Sequence, residues 1–257
     1  MFQKLLLLIG SLFAITQAHA WGQKGHDVTA YIAEQHLTNN VAKKIDKLLE
    51  GHSLVYYANW LDHASHTEEY AYTKTWHYRN VDEGKTLNSL PLNPDGDVVQ
   101  AINELIAQLK SQTLTAEKEK VYLKMLIHLV GDLHCPMHLG RATDLGGNRR
   151  PVSIFGKPEN LHSVWDTAIP EAIHKWSYTE WQQQIDRADE DEINHIVAGT
   201  PYSWAEETWA LCCEIYDFTP EGTKISYDYL NKYAPVVEQQ FLRGGLRLAH
   251  LLNEIYK

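Results

Sequence analysis

Residues 116 to 134 place His128 and Asp132 in the apolar second half of a helix whose first half carries the charged Glu117, Lys118, Glu119, Lys120 and Lys124. Tyr122, Met125, Leu126, Leu129, Val130 and Leu133 recur at spacings of three and four, which is the period of one broad helical face. This helix is expected to be the most buried in the fold. It also carries His128 and Asp132, an i, i+4 pair whose side chains project in one direction about one turn apart. Helical periodicity is equally plain elsewhere. Val41, Ile45, Leu48 and Leu49 keep it until Gly51, and Val98, Ile102, Leu105, Ile106 and Leu109 repeat it. It returns around 161 to 176, 179 to 197, 201 to 216 and 226 to 254, and only the run Val152 to Phe155 reads as strand. Pro91, Pro94 and Gly96 mark 80 to 97 as a loop, and Gly146-Gly147-Asn148 marks a turn within 141 to 151. With no Pro/Gly/Ser-rich linker and no internal repeat, the expected fold is all-α, a single compact multi-helix domain.

The first twenty residues predict a cleaved signal peptide. Lys4 supplies the positive start, Leu5 to Ile15 the apolar stretch, and Ala18-His19-Ala20 an A-x-A cleavage site. That apolar run falls short of the roughly 20 residues a membrane span requires, so the domain is expected to run from 21 to 257, to begin at Trp21 and to be secreted or periplasmic. The formal charge is −10, and losing Lys4 would make it −11. A basic nucleic-acid-binding surface is therefore excluded, and a polyanionic substrate would have to be held by locally bound cations. Cys135, Cys212 and Cys213 are an odd number for an oxidising compartment. Cys212 and Cys213 could form a vicinal disulfide, pair separately, or pack as small apolar groups, and no catalytic role is assigned to any of the three.

The i, i+4 arrangement recurs at His162 and Asp166, and between the two pairs lies His138, six residues past Asp132. Pro136 is expected to end the helix and turn His138 back toward the site. One His beside an Asp is ordinarily a hydrogen-bonded pair. Three such groupings form a set of imidazole and carboxylate donors that suits zinc, whose catalytic sites leave a position open, better than heme or iron.

These blocks, together with Trp21-Gly22-Gln23-Lys24-Gly25-His26, Asn59-Trp60-Leu61-Asp62 and Trp76-His77-Tyr78, resemble the zinc-dependent single-strand nucleases and 3′-nucleotidases of the mung bean nuclease type. The resemblance runs from the mature N-terminus through Asp166 and less distinctively to the end. It implies three Zn2+ ions. Asp62, His77, His128 and Asp132 would surround the first, with Asp132 bridging to a second held by His26 and by the backbone amine and carbonyl of Trp21. His138, His162 and Asp166 would hold the third. An α-amino group with a pKa of about 7.7–8.0 gives up its proton to zinc near neutral pH, so signal cleavage would double as activation.

The resemblance further implies attack on phosphorus by a hydroxide between two zinc ions, oriented by Asp62. The third ion would steady the leaving 3′-oxygen, so products would be 5′-phosphorylated. Asn148 matches a position that contacts the phosphate. Tyr78 is a candidate stacking wall and Asn80 a candidate partner for the base edge, which would favour single-stranded DNA and RNA and 3′-nucleotides. Many relatives carry a basic residue where this chain has Ser65, so that either His63 or His66 substitutes or the contribution is missing, and His134 is expected to orient an Asp. A monomer is expected. Two rival readings are a zinc-dependent phospholipase C and a secreted zinc-binding protein without catalysis. The four residues between Trp21 and His26, and Asp166 rather than Glu as the last ligand, separate the chain from the phospholipase.

Overall fold

The computed structural model describes residues 21–257; the signal segment expected at 1–20 lies outside the described residues. The chain opens with α1 (Gln23–Gln35) and α2 (Asn39–Leu48), followed by the short helices α3 (Leu54–Tyr57) and α4 (Trp60–Ala64). A loop with two 3₁₀ turns leads to α5 (Val98–Lys110) and then to α6 (Ala116–Leu133). Caps set these starts: the Asp97 carboxylate accepts from the amides of Val99 and Gln100, and the Thr115 hydroxyl accepts from that of Lys118. From Met125 onward every residue of α6 is buried, as its apolar face predicts.

Beyond α6 the chain departs from the sequence expectation in three places. The strand read at Val152 to Phe155 is β1 (Pro151–Ile154), and it has two partners. It pairs antiparallel with β2 (Lys157–Asn160) through a turn in which Phe155 and Gly156 both have positive φ, 49° and 78°, the twist that a tight hairpin favours. It also pairs in parallel with β3 (Lys224–Ile225). The Lys-Pro-Glu-Asn sequence of β2 carries no apolar alternation and gave no strand signal.

The helix expected over 161 to 176 is α7 (Leu161–Ser163), a π turn over Val164–Ala168, and α8 (Ile169–Ile173). The helix expected over 179 to 197 is two, α9 (Tyr178–Ile185) and α10 (Glu190–Val197). It breaks because Asp189 and Glu192 form a capping box that starts a new helix, and because the Asp186 carboxylate is held by His36 and Gln182 instead of continuing the turn.

The chain closes with α11 (Pro201–Phe218) and α12 (Tyr227–Tyr256). Two apolar clusters form the core. One gathers α2, α5, α6 and the C-terminal half of α12; the other gathers Trp21, α8, α9, α11 and the N-terminal half of α12. Helix α1 contributes Ala30 and Ala33 to the first and Val28 and Ile32 to the second. The polar residues singled out in the sequence lie in the seam where α1, α6 and the turns after α6 meet. No helix among the described residues is long and apolar enough to cross a membrane.

Candidate metal centre

Helix α6 places His128 and Asp132 at the floor of the seam, both with no solvent exposure. Three other elements bring side chains onto them. His26 of α1 sets its Nε2 3.3 Å from Asp132 Oδ1, and its ring stacks on His128 at 4.0 Å between centroids. Asp62 of α4 lies 3.3 Å from His128 Nε2. His77, in the loop after α4, directs Nδ1 at Asp132 Oδ2 and His128 Nε2, 2.9 and 3.1 Å away. Gly131 makes the closeness of α1 and α6 possible, because a Cβ there would sit 2.7 Å from His26 Nδ1.

A second grouping adjoins the first. α6 ends at Leu133, and a 3₁₀ turn over Pro136–Leu139 carries His138 back toward the seam, as the position of Pro136 predicts. His138 lies 3.6 Å from Asp132 Oδ1 through Nδ1 and 3.6 Å from Asp166 Oδ1 through Nε2. His162 of α7 sets Nε2 3.0 Å from Asp166 Oδ2. Asp166 sits in the π turn, a helical irregularity frequent at functional sites. Its carbonyl accepts the Gly22 amide at 2.7 Å, which fixes the backbone next to Trp21 beside this grouping. Gly22 is required there, since a Cβ would lie 2.5 Å from Thr167 Oγ1 and 2.9 Å from that same carbonyl.

The imidazoles are oriented from behind. His128 Nδ1 donates to Ala58 O, His138 Nδ1 to His77 O and His162 Nδ1 to Gly146 O, at 2.7, 2.6 and 2.7 Å. Each therefore turns its Nε2 into the seam, the orientation that ligating histidines adopt. His26 Nδ1 and Nε2, His77 Nε2, His138 Nε2, His162 Nε2 and Asp132 Oδ1 are buried without a hydrogen-bond partner. Zinc bonds of about 2.0–2.1 Å at tetrahedral angles set neighbouring donors about 3.3–3.4 Å apart, close to the separations found. The donor set fits zinc.

Charge points the same way. Burial opposes ionisation of Asp62, Asp132 and Asp166, yet the facing histidines outweigh it and hold the first two well below the usual carboxylate range and Asp166 at about 2. Burial likewise opposes charge on His128 and His138, yet Asp132 and its neighbours raise the first well above the ordinary imidazole value and the second to about 9. His26 moves down, through burial first and the proximity of His128 second. The carboxylates thus demand positive charge in the seam while one imidazole stays a neutral donor.

The remaining residues singled out in the sequence fall into two sets. Tyr78 is 40% exposed at the edge of the seam, directly after His77. Asn80 keeps its carbonyl oxygen buried and without a partner, in the space facing Gly146. Asn148 is half-buried and donates one amide N–H to Leu145 O at 2.8 Å. By contrast, Ser65 is buried with its hydroxyl donating to Asp62 O, and His63 and His66 are exposed.

His134 corrects the expectation that it orients an aspartate. Its Nδ1 donates to Val130 O and its Nε2 accepts from the buried Arg247 guanidinium at 3.0 Å, and burial followed by that guanidinium pushes its pKa down to about 3. It braces the end of α6 against α12. Two features carried no sequence signal. Arg79 pairs with Asp97 and so ties the segment bearing His77, Tyr78 and Asn80 to the start of α5. Cys135 points its thiol at Asp166, and all three cysteines are free.

A helical domain whose seam gathers His and Asp donors of this number and geometry belongs with the proteins whose imidazole and carboxylate groups could hold metal ions. The sequence matches the S1/P1 Nuclease family over residues 21–257, and the chain belongs to that family. It is thereby a hydrolase of phosphodiester bonds. Similar proteins include "Endonuclease 4" of Arabidopsis thaliana, 28% identical across 94% of this chain and 91% of that one. "Nuclease P1" of Penicillium citrinum is 26% identical across 92% and 98%, and "Nuclease S1" of Aspergillus oryzae is 26% identical across 98% of each.

Proposed function

We propose that this protein is an exported zinc-dependent nuclease, a monomer of one domain at 21–257, that cleaves single-stranded DNA and RNA to 5′-phosphorylated products and removes 3′-phosphates from nucleotides. The observation that carries the reading is the seam of buried, unpartnered imidazole nitrogens aimed at three carboxylates. Asp62, His77, His128 and Asp132 would hold one zinc; His26, Asp132 and the freed amine and carbonyl of Trp21 a second; His138, His162 and Asp166 a third. Zinc bound there supplies Lewis acidity and lowers the pKa of a bound water toward about 7.

The chain's own groups have distinct tasks. Asp62 stays ionised and is the most open of the three seam aspartates, with 13% of its side chain exposed, so it can accept a hydrogen bond from an incoming water and aim it at phosphorus. Asn148 has a second amide N–H left for a phosphate oxygen. The exposed ring of Tyr78 offers a stacking face for a base, and Asn80 a polar group for its edge. A phosphate reaches so recessed a centre only when its nucleotide is splayed out, which favours single strands. The net charge of −10 leaves affinity to the centre instead of to a long-range basic field.

The test is hydrolysis of single-stranded DNA and of a 3′-mononucleotide by the exported protein, with and without chelator, alongside metal analysis and N-terminal sequencing. Activity lost to chelator and restored by zinc, with about three zinc ions per chain and Trp21 first, is the expected result. Zinc bound without cleavage of either phosphate ester would leave a zinc-binding protein and remove the catalytic reading.

A further inference from the structure

Cys135 lies between His134 and Pro136, at the bend that turns the chain from α6 toward His138, and it has no solvent exposure. Its Sγ donates to Asp166 Oδ1 at 3.0 Å, a short contact for a thiol. Asp166 therefore presents two different oxygens. Oδ2 faces His162 Nε2 at 3.0 Å, while Oδ1 is met by the thiol and stands 3.6 Å from His138 Nε2. Both of those imidazole nitrogens are buried without a hydrogen-bond partner. Sγ, a His138 ring nitrogen and an Asp166 oxygen all lie within 4.8 Å of one another, so the sulfur sits at the wall of the grouping.

We propose that Cys135 is a positioning residue for the grouping of His138, His162 and Asp166: its S–H donates to Asp166 Oδ1 and so commits Asp166 to one-oxygen ligation through Oδ2. This inference rests on the metal reading given above. The physical reason is competition for lone pairs. A carboxylate free at both oxygens can chelate a cation and fill two coordination positions, whereas one capped by a donor fills a single position and leaves another open for substrate. Asp132 has no such donor. Its two oxygens are each shared between imidazoles, Oδ2 with His77 and His128, Oδ1 with His26 and His138. The thiol is thus a feature of one grouping alone.

The test compares wild type, Cys135→Ser and Cys135→Ala as metal-loaded full chains, with circular dichroism to verify folding. Zinc release to a competing chelator and the absorption of cobalt-substituted protein are the readouts. Cys135→Ala loses the hydrogen bond that fixes the Asp166 carboxylate, a loss that outweighs the second oxygen it frees, and is expected to release one class of zinc about 10-fold more readily, within the range usual for loss of a group that orients a ligand, with the remaining zinc unchanged. Cys135→Ser, which keeps a donor, is expected to restore wild-type release. Wild-type cobalt protein is expected to show no thiolate-to-metal charge-transfer band. Such a band, lost in Cys135→Ser, would make the sulfur a ligand and overturn the proposal. Equal zinc release by wild type and Cys135→Ala would overturn it too, leaving the thiol a packing group. Wild-type protein that takes up no zinc would overturn the metal reading itself, and zinc uptake without nuclease activity would remove only the catalytic one.

Discussion

The two groupings in the seam are built on different mechanical principles. His26, Asp62, His77, His128 and Asp132 come from three helices and a loop that are distant in the chain, and they meet only because α1 packs on α6 across Gly131. His138, His162 and Asp166 come from a 3₁₀ turn, a single-turn helix and a π turn within one stretch, and each is tied to a main-chain group: His162 to Gly146 O inside that stretch, His138 to His77 O and the Asp166 carbonyl to the Gly22 amide outside it. The first depends on helices packing across the core, the second on irregular turns pinned to main-chain groups both near and distant in the chain. Asp132 joins them, since its Oδ2 faces the first set and its Oδ1 faces His26 and His138.

That joint is where the comparison breaks most completely. Asp132→Asn is expected to disturb both groupings, dropping zinc content at both and lowering kcat/KM at least about 10³-fold, roughly 4 kcal/mol of transition-state stabilisation. Metal analysis that shows loss at one grouping only would separate them. Asp166→Asn is expected to confine the damage, removing one zinc equivalent while the others remain, with kcat/KM down about 10²-fold. Gly131→Ala addresses the other side. Its new Cβ must displace His26 or spread α1 from α6, which costs about 1–3 kcal/mol as overpacking does. Thermal unfolding of the metal-free variant should show this, and metal analysis of the zinc-loaded variant should find the zinc proposed at His138, His162 and Asp166 retained. The smallest effect provides a reference outside both groupings. Burial tends to raise Asp186, but hydrogen bonds from His36 and Gln182 outweigh it and lower its pKa below 3.8. A depressed carboxylate contributes stability that is present above its unfolded pKa and lost as pH falls through its folded one. His36→Ala is therefore expected to cost about 1 kcal/mol near neutral pH. Denaturant titrations should show the gap closing at acid pH, whether or not zinc is bound.

The fold was largely legible because its helices are long and amphipathic. The face of α6, the start of α5 after Asp97 and the reach of α11 and α12 follow from apolar spacing and caps. The i, i+4 pairs His128/Asp132 and His162/Asp166 were legible for the same reason, since a helix fixes which side chains share a face. What failed was local competition: Asp189 and Glu192 cap a new helix where periodicity ran on, and Lys157–Asn160 becomes strand because β1 offers it hydrogen bonds.

By itself the sequence determined the helical class, the paired donors and the family. Only the tertiary structure decided that His134 answers to Arg247 and not to an aspartate, that Cys135 caps Asp166, and that β3 reaches β1 from the far side of α11. The physical reason is the range of the interaction. Periodicity and capping act over one or two turns and can be read from neighbours in the chain. A contact between residues 31 or 113 positions apart depends on how every intervening element packs.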